Sequence, residues 1–141
     1  MQSVVNATDA EISDILMKYR TVAVIGMSKN PQKDAYLIPE FLIKNGFNVI
    51  PVNPTADEIL GQKSYKKLSD VTEKIDIVDA FRPSDDIPNY VDEVIEIKPK
   101  VFWEQLGIHN PEAEEKIADA GIKVVYDRCM MQELRRTVLK S

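Results

Sequence analysis

Thr21-Val22-Ala23-Val24-Ile25-Gly26-Met27-Ser28 is the stretch from which the fold can be read. The run from Thr21 to Ile25 is uncharged, mostly β-branched and does not alternate, so it reads as a strand buried on both faces. Gly26 stops it. Strands of this kind lie in parallel sheets covered by helices. Upstream, Thr8 and Glu11 form a capping box that opens a helix with Ile12, Ile15 and Leu16 on one face. Downstream, residues 34–45 set Tyr36, Leu37, Phe41 and Leu42 on a helical period, with Gly46 as the C-cap. Pro39 is expected near the first turn of that helix, where proline is tolerated. Residues 47–52 are the second buried strand, 58–65 a short weak strand around a glycine, and 75–81 another strand. Ser84 or Asp85 caps the next helix, with Pro88 in its first turn and Tyr90, Val91, Val94 and Ile95 inward. A strand at 101–103 follows, then a helix capped by Asn110, begun by Pro111 and closed at Gly121. Residues 122–126 form the last strand. The last helix, 129–139, ends near Arg135, Arg136 and Lys140, cations suited to a helix C-terminus. This alternation predicts an α/β fold, a doubly wound and mainly parallel sheet with helices on both faces. With no repeat, linker or low-complexity segment, one domain over residues 1–141 is expected.

Composition narrows the function classes. The 141 residues are 44% hydrophobic and 29% charged, as a packed domain requires. Against 18 Lys and Arg stand 23 Asp and Glu, a formal net charge of −5. No basic run stands out, so nucleic acid is not an expected partner. One cysteine, Cys129, and one histidine, His109, exclude an internal disulfide and a four-ligand zinc site. The first ten residues lack the basic start and apolar core of a signal peptide. No apolar stretch is long enough to span a bilayer. A soluble, cytoplasmic protein without a membrane partner is expected. A protein partner or a homodimer stays open.

In open α/β sheets, ligands bind beyond the carboxyl ends of the strands. Here those ends are Gly26-Met27-Ser28, Asn53-Pro54, Phe81-Arg82, Trp103-Glu104-Gln105-Leu106-Gly107 and Asp127-Arg128-Cys129. Turns attract Gly, Asn, Pro and Asp for their own reasons. Five such segments on one edge, gathering the only tryptophan, the only cysteine and an arginine, favour a ligand site. Gly26 would allow close approach to the backbone, and the helix after it would offer N–H groups to an anion. A dinucleotide fingerprint needs glycines where Ser28 and Pro31 stand, and an acid where the second strand ends in Asn53. A nucleotide-like ligand is therefore favoured and ordinary NAD binding is not.

The segments Ala23-Val24-Ile25-Gly26-Met27-Ser28 with Asn30-Pro31, Val49-Ile50-Pro51-Val52-Asn53-Pro54, Asp79-Ala80-Phe81-Arg82, Trp103-Glu104-Gln105-Leu106-Gly107 and Tyr126-Asp127-Arg128-Cys129-Met130 together resemble the small CoA-binding protein family. Its members are stand-alone relatives of the CoA-binding domain in the succinyl-CoA synthetase α subunit. The resemblance runs from about Glu11 to Leu134. It implies a Rossmann-like fold of strand order 3-2-1-4-5-6, with the third strand at 62–65 and the crevice between the strands ending at Gly26 and Phe81. It implies coenzyme A or an acyl-CoA as the small-molecule ligand. Gly26, Met27, Ser28, Asn53, Pro54, Phe81 and Arg82 match positions near that ligand, and Lys33 matches a basic position. Relatives often carry a serine near Ala35 and a basic residue near Leu37, and this chain departs from both.

Arg82 suits bidentate phosphate pairing; its plainer role is an ion pair with Asp79, Asp85 or Asp86. Gln105 can present an amide to the pantetheine arm or close a turn. Trp103 reads as core and His109 as a cap or packing residue. Cys129, at a helix N-terminus beside Arg128, has the setting of a thiolate, and its alternative is a small buried hydrophobe. No Ser-His-Asp set, metal cluster or obvious carboxylate pair appears. The leading reading is a CoA-binding module without catalysis. The alternatives are a regulator that senses CoA or redox state through Cys129, and a nucleotide-dependent enzyme such as an oxidoreductase.

Overall fold

The computed structural model describes residues 3–139; Lys140, expected to help terminate the last helix, lies outside them. The helices are α1 (Asp9–Lys18), α2 (Asp34–Lys44), α3 (Val91–Ile97), α4 (Pro111–Asp119) and α5 (Met130–Thr137). The strands are β1 (Thr21–Ile25), β2 (Asn48–Val52), β3 (Glu58–Ile59), β4 (Gln62–Lys63), β5 (Ile77–Ala80), β6 (Val101–Glu104) and β7 (Lys123–Val125). Five of these strands pair in parallel in the order β2-β1-β5-β6-β7. The sheet is a Rossmann-like α/β sheet with β1 and β5 at the switch point.

The interiors of β1, β2, β5 and β6 are buried, as their apolar runs require. Alternate side chains feed two cores. Val22, Val24, Val49, Ile77, Val101, Trp103 and Val125 pack with α1, α2 and α5. Ala23, Ile25, Ile50, Val52, Val78, Phe102 and Val124 pack with α3, α4 and the 3-10 turns on the opposite face. Trp103 is fully buried and its indole N–H donates to the Arg128 carbonyl at 2.8 Å, so it is a core residue. The Thr8–Glu11 capping box is present, and the Asn110 side chain caps α4 through the Ala113 N–H.

Three expectations need correction. The segment 58–65 is not one edge strand. Leu60 and Gly61 take φ of 54° and 75°, the paired left-handed geometry of a tight hairpin, and fold β3 back on β4. Only a single parallel bridge, Tyr65 with Val52, extends the sheet beyond β2. The stretch Ser84–Tyr90 winds as a 3-10 helix before α3, without a side-chain cap; Ser84 Oγ instead accepts from the His109 N–H. Pro39 lies in the second turn of α2, not the first. Having no N–H, it leaves the Ala35 carbonyl free, and the Ser28 N–H donates to that carbonyl at 3.1 Å. Among the described residues, no helix is long and apolar enough to cross a membrane.

Candidate functional site

Parallel pairing brings all five strand-end segments to one edge, as the alternation predicts. The edge is divided by a ridge at Gly26. Its φ is 79°, and a Cβ there would lie 2.7 Å from the Phe81 carbonyl oxygen and 2.9 Å from Arg82 Cδ. The glycine therefore admits the neighbouring turn of its own chain, and the space expected for a ligand at that point is filled. A cavity lies on either side of the ridge.

On the α2 and α5 face there is a cavity of about 220 Å³. The first turn of α2 supplies Asp34 and Ile38, and α5 supplies Met131 and Gln132. Phe81, Gln105, Leu106, Ile108 and Cys129 complete it. Gln105 is buried and fixed at both ends: its Nε2 donates to Asp79 Oδ1 at 2.6 Å, and its Oε1 accepts from the Met130 N–H at 3.2 Å. Asp79 is fully buried on β5, one hydrogen bond behind this wall, and its Oδ2 has no partner. Burial pushes its carboxyl up to about 7, against the pull of the Gln105 amide.

On the α3 face a second cavity, of about 300 Å³, runs past Gly26, Pro54 and Arg82. Lys66, Lys67, Tyr90 and the acid Glu93 also line it. Its three cations make it an anion-binding environment. Arg82 Nε is engaged by Asp86 Oδ2 at 2.7 Å, one of the ion pairs foreseen as its plainer role.

The predicted residues thus divide. Phe81, Gln105 and Cys129 line the first cavity, and Gly26, Pro54 and Arg82 the second. Met27, Ser28, Lys33 and Asn53 line neither. Met27 is core. Asn53 holds the strand ends together: its Nδ2 donates to the Met27 carbonyl at 2.9 Å, and its Oδ1 accepts from the N–H groups of Thr55 and Ala56. The Ser28 hydroxyl accepts from the Asn30 N–H, and with its own N–H on Ala35 the turn has little left to offer a phosphate. Lys33 is an exposed residue before α2.

Cys129 does not have the setting of a thiolate. It is buried, and burial raises the thiol above its ordinary value, with the negative charges of Asp79 and Asp34 adding to the effect. The N–H groups of Met131 and Gln132 oppose this without reversing it. The Arg128 guanidinium turns to the Asp127 carbonyl at 2.8 Å.

A carboxyl pair that the sequence concealed sits beside the site. Glu104 and Glu114 are fully buried, on β6 and α4. Neither Glu104 oxygen has a donor from the rest of the described protein. Burial first, and the second carboxyl beside it, hold Glu104 protonated. Glu114 Oε2 meets His109 Nδ1 at 2.7 Å and the Asn110 N–H at 2.8 Å. His109 stacks on Tyr126 at 4.2 Å between ring centroids. Glu114 thereby anchors the end of the loop whose Gln105, Leu106 and Ile108 wall the first cavity.

The profile of the CoA binding domain family matches residues 20–135. The uncharacterized protein YneT of Bacillus subtilis is 37% identical over 125 residues, 89% of this chain and 93% of that one. A hypothetical protein from Pyrococcus horikoshii superposes with a TM-score of 0.90 at 36% identity, over 98% of this chain and 99% of the other. An ADP-forming acetate–CoA ligase of Methanocaldococcus jannaschii is 36% identical over 84 residues, 57% of this chain but 12% of the ligase. The family match takes in the strand-end segments that line both cavities, and the chain belongs to the CoA binding domain family.

Proposed function

We propose that this protein binds coenzyme A or an acyl-CoA across the carboxyl edge of the sheet, without catalysing a reaction of its own. The nucleotide end lies in the cavity of Lys66, Lys67 and Arg82, and the pantetheine arm crosses the Gly26 ridge toward Cys129. The observation that carries this reading is the pairing of two chemically different cavities on one edge. One holds three cations and suits phosphates. The other is largely apolar with amide groups, and suits a neutral arm ending in a thiol. Asn53 stands where an acid would hold an NAD ribose, and it is already engaged within the fold.

Support for a binding role comes from the reactive side chains. Cys129 is buried as a thiol, and His109 is held by Glu114. Each is committed to the scaffold, where a nucleophile or a general base would need to be free.

Calorimetric titration with CoA, acetyl-CoA, NAD and NADP tests the reading. CoA or acetyl-CoA should bind at least tenfold more tightly than either dinucleotide. Lys66→Glu with Lys67→Glu should weaken CoA by at least tenfold, at constant salt and with the circular dichroism spectrum retained. NAD binding more tightly than CoA, or an unchanged CoA affinity in the double variant, would refute it.

A further inference from the structure

We propose that the cavity beside Cys129 accepts the free CoA thiol or a short uncharged acyl group, and turns away acyl groups that carry a carboxylate. This rests on the CoA reading above and adds the class of ligand.

The lining contains one charged side chain, Asp34, and no Lys, Arg or His. The cations nearest in sequence are directed elsewhere. Arg82 pairs with Asp86 and lines the opposite cavity. Arg128 donates to a backbone carbonyl. Two helix N-termini face the cavity, and a helix N-terminus ordinarily attracts anions. Each carries something that offsets this attraction. The first residue of α2 is itself the acid Asp34. At α5 the Met130 N–H is taken by Gln105 Oε1.

Behind Gln105 stands Asp79, fully buried with an unpartnered oxygen. A ligand carboxylate placed here would stand beside Asp34, with Asp79 behind Gln105, and find no cation among the lining residues. An uncharged chain meets Ile38, Phe81, Leu106 and Ile108 instead. The volume of about 220 Å³ is below that of ordinary ligand pockets, about 300–1,000 Å³, and so favours a short chain.

Malonyl-CoA and butyryl-CoA have acyl groups of nearly equal size and differ in charge, which makes them the informative pair. In calorimetric titrations at pH 7.5, with CoA and acetyl-CoA alongside, malonyl-CoA should bind at least tenfold more weakly than butyryl-CoA. Gln132 is exposed on α5 at the cavity wall. Gln132→Arg should supply the missing cation and narrow that ratio at least fivefold. Asp34→Asn should narrow it as well. Equal binding of malonyl-CoA and butyryl-CoA by the parent protein, while CoA itself binds, would overturn this inference alone. An unchanged ratio in Gln132→Arg would overturn the charge argument behind it. Failure of CoA and all three thioesters to bind would overturn the function proposed above, and this inference with it.

Discussion

Asp79→Asn should make the protein more stable at pH 8 and slightly less stable at pH 4.5. The Asp79 carboxyl is fully buried, with one hydrogen bond, from Gln105 Nε2, and a second oxygen that has none. Its proton is released at about 7 in the folded protein, against 3.8 for an ordinary aspartate. The sign follows from proton counting. Between those two values the folded state holds a proton that the unfolded state has lost, so stability falls as the pH rises from about 4 to about 7 and levels off above. At about 1.4 kcal/mol for each pH unit, the carboxylate costs on the order of 4 kcal/mol at pH 8. Asparagine carries no charge at either pH, but its amide group places an unpaired donor in the same buried site, which costs about 1–3 kcal/mol. At pH 4.5 the parent already loses about 1 kcal/mol to the same shift, so the variant should be destabilised there by up to about 2 kcal/mol, and stabilised by about 1–3 kcal/mol at pH 8. Urea titrations of both proteins at the two pH values measure this directly, provided their m-values agree. A difference between variant and parent that does not change with pH would refute the charge assigned to Asp79.

Gly26→Ala should destabilise by about 2 kcal/mol or more, because the residue has positive φ and its Cβ would strike the Phe81 carbonyl, a backbone atom that cannot swing aside; thermal unfolding measures it, and an unchanged melting temperature would contradict the ridge. Cys129 should be alkylated by iodoacetamide at pH 7.5 at least tenfold more slowly than free cysteine, and more slowly still with CoA bound; rapid modification insensitive to CoA would place the thiol outside the cavity. Glu104→Gln should gain stability over the parent as the pH rises from 5 to 9, since the folded parent keeps a proton on the buried carboxyl that its unfolded chain releases and the amide has none to release; parallel pH profiles in urea unfolding would argue against a proton held there.

The fold was legible wherever one physical cause decided the outcome. Five uncharged residues ending at Gly26 have few alternatives to a buried parallel strand, and β1 spans those residues. Thr8 with Glu11, and Asn110 with Pro111, carry their helix starts in their own side chains. Failures came where two causes competed. Residues 58–65 have the composition of a strand, but Leu60-Gly61 takes a hairpin turn and pairs the segment with itself. Pro39 stands in the second turn of α2 and not the expected first, and Ser28, in the turn just before the helix, donates to the carbonyl the proline leaves free.

The site was legible to the edge and only partly to the residue. Polar groups at strand ends have two employments, and one sequence cannot separate them. Asn53 and Ser28 spend their hydrogen bonds joining β1, β2 and α2, while Gly26 spends its freedom on the Phe81–Arg82 turn. The missed residues follow the same logic in reverse. Lys66 and Lys67 follow Tyr65, the one residue of the edge segment that bridges β2, so they too stand at a strand end. Reading that sixth end like the other five would have found them. Asp79 and Glu104 were quoted within motifs, but an acid inside an apolar strand shows its character only when the fold removes its water. Both are held in the protein at an energetic disadvantage, Asp79 directly behind the cavity wall and Glu104 beneath the loop that forms it. Uncharged replacements at either position are expected to stabilise the fold at alkaline pH.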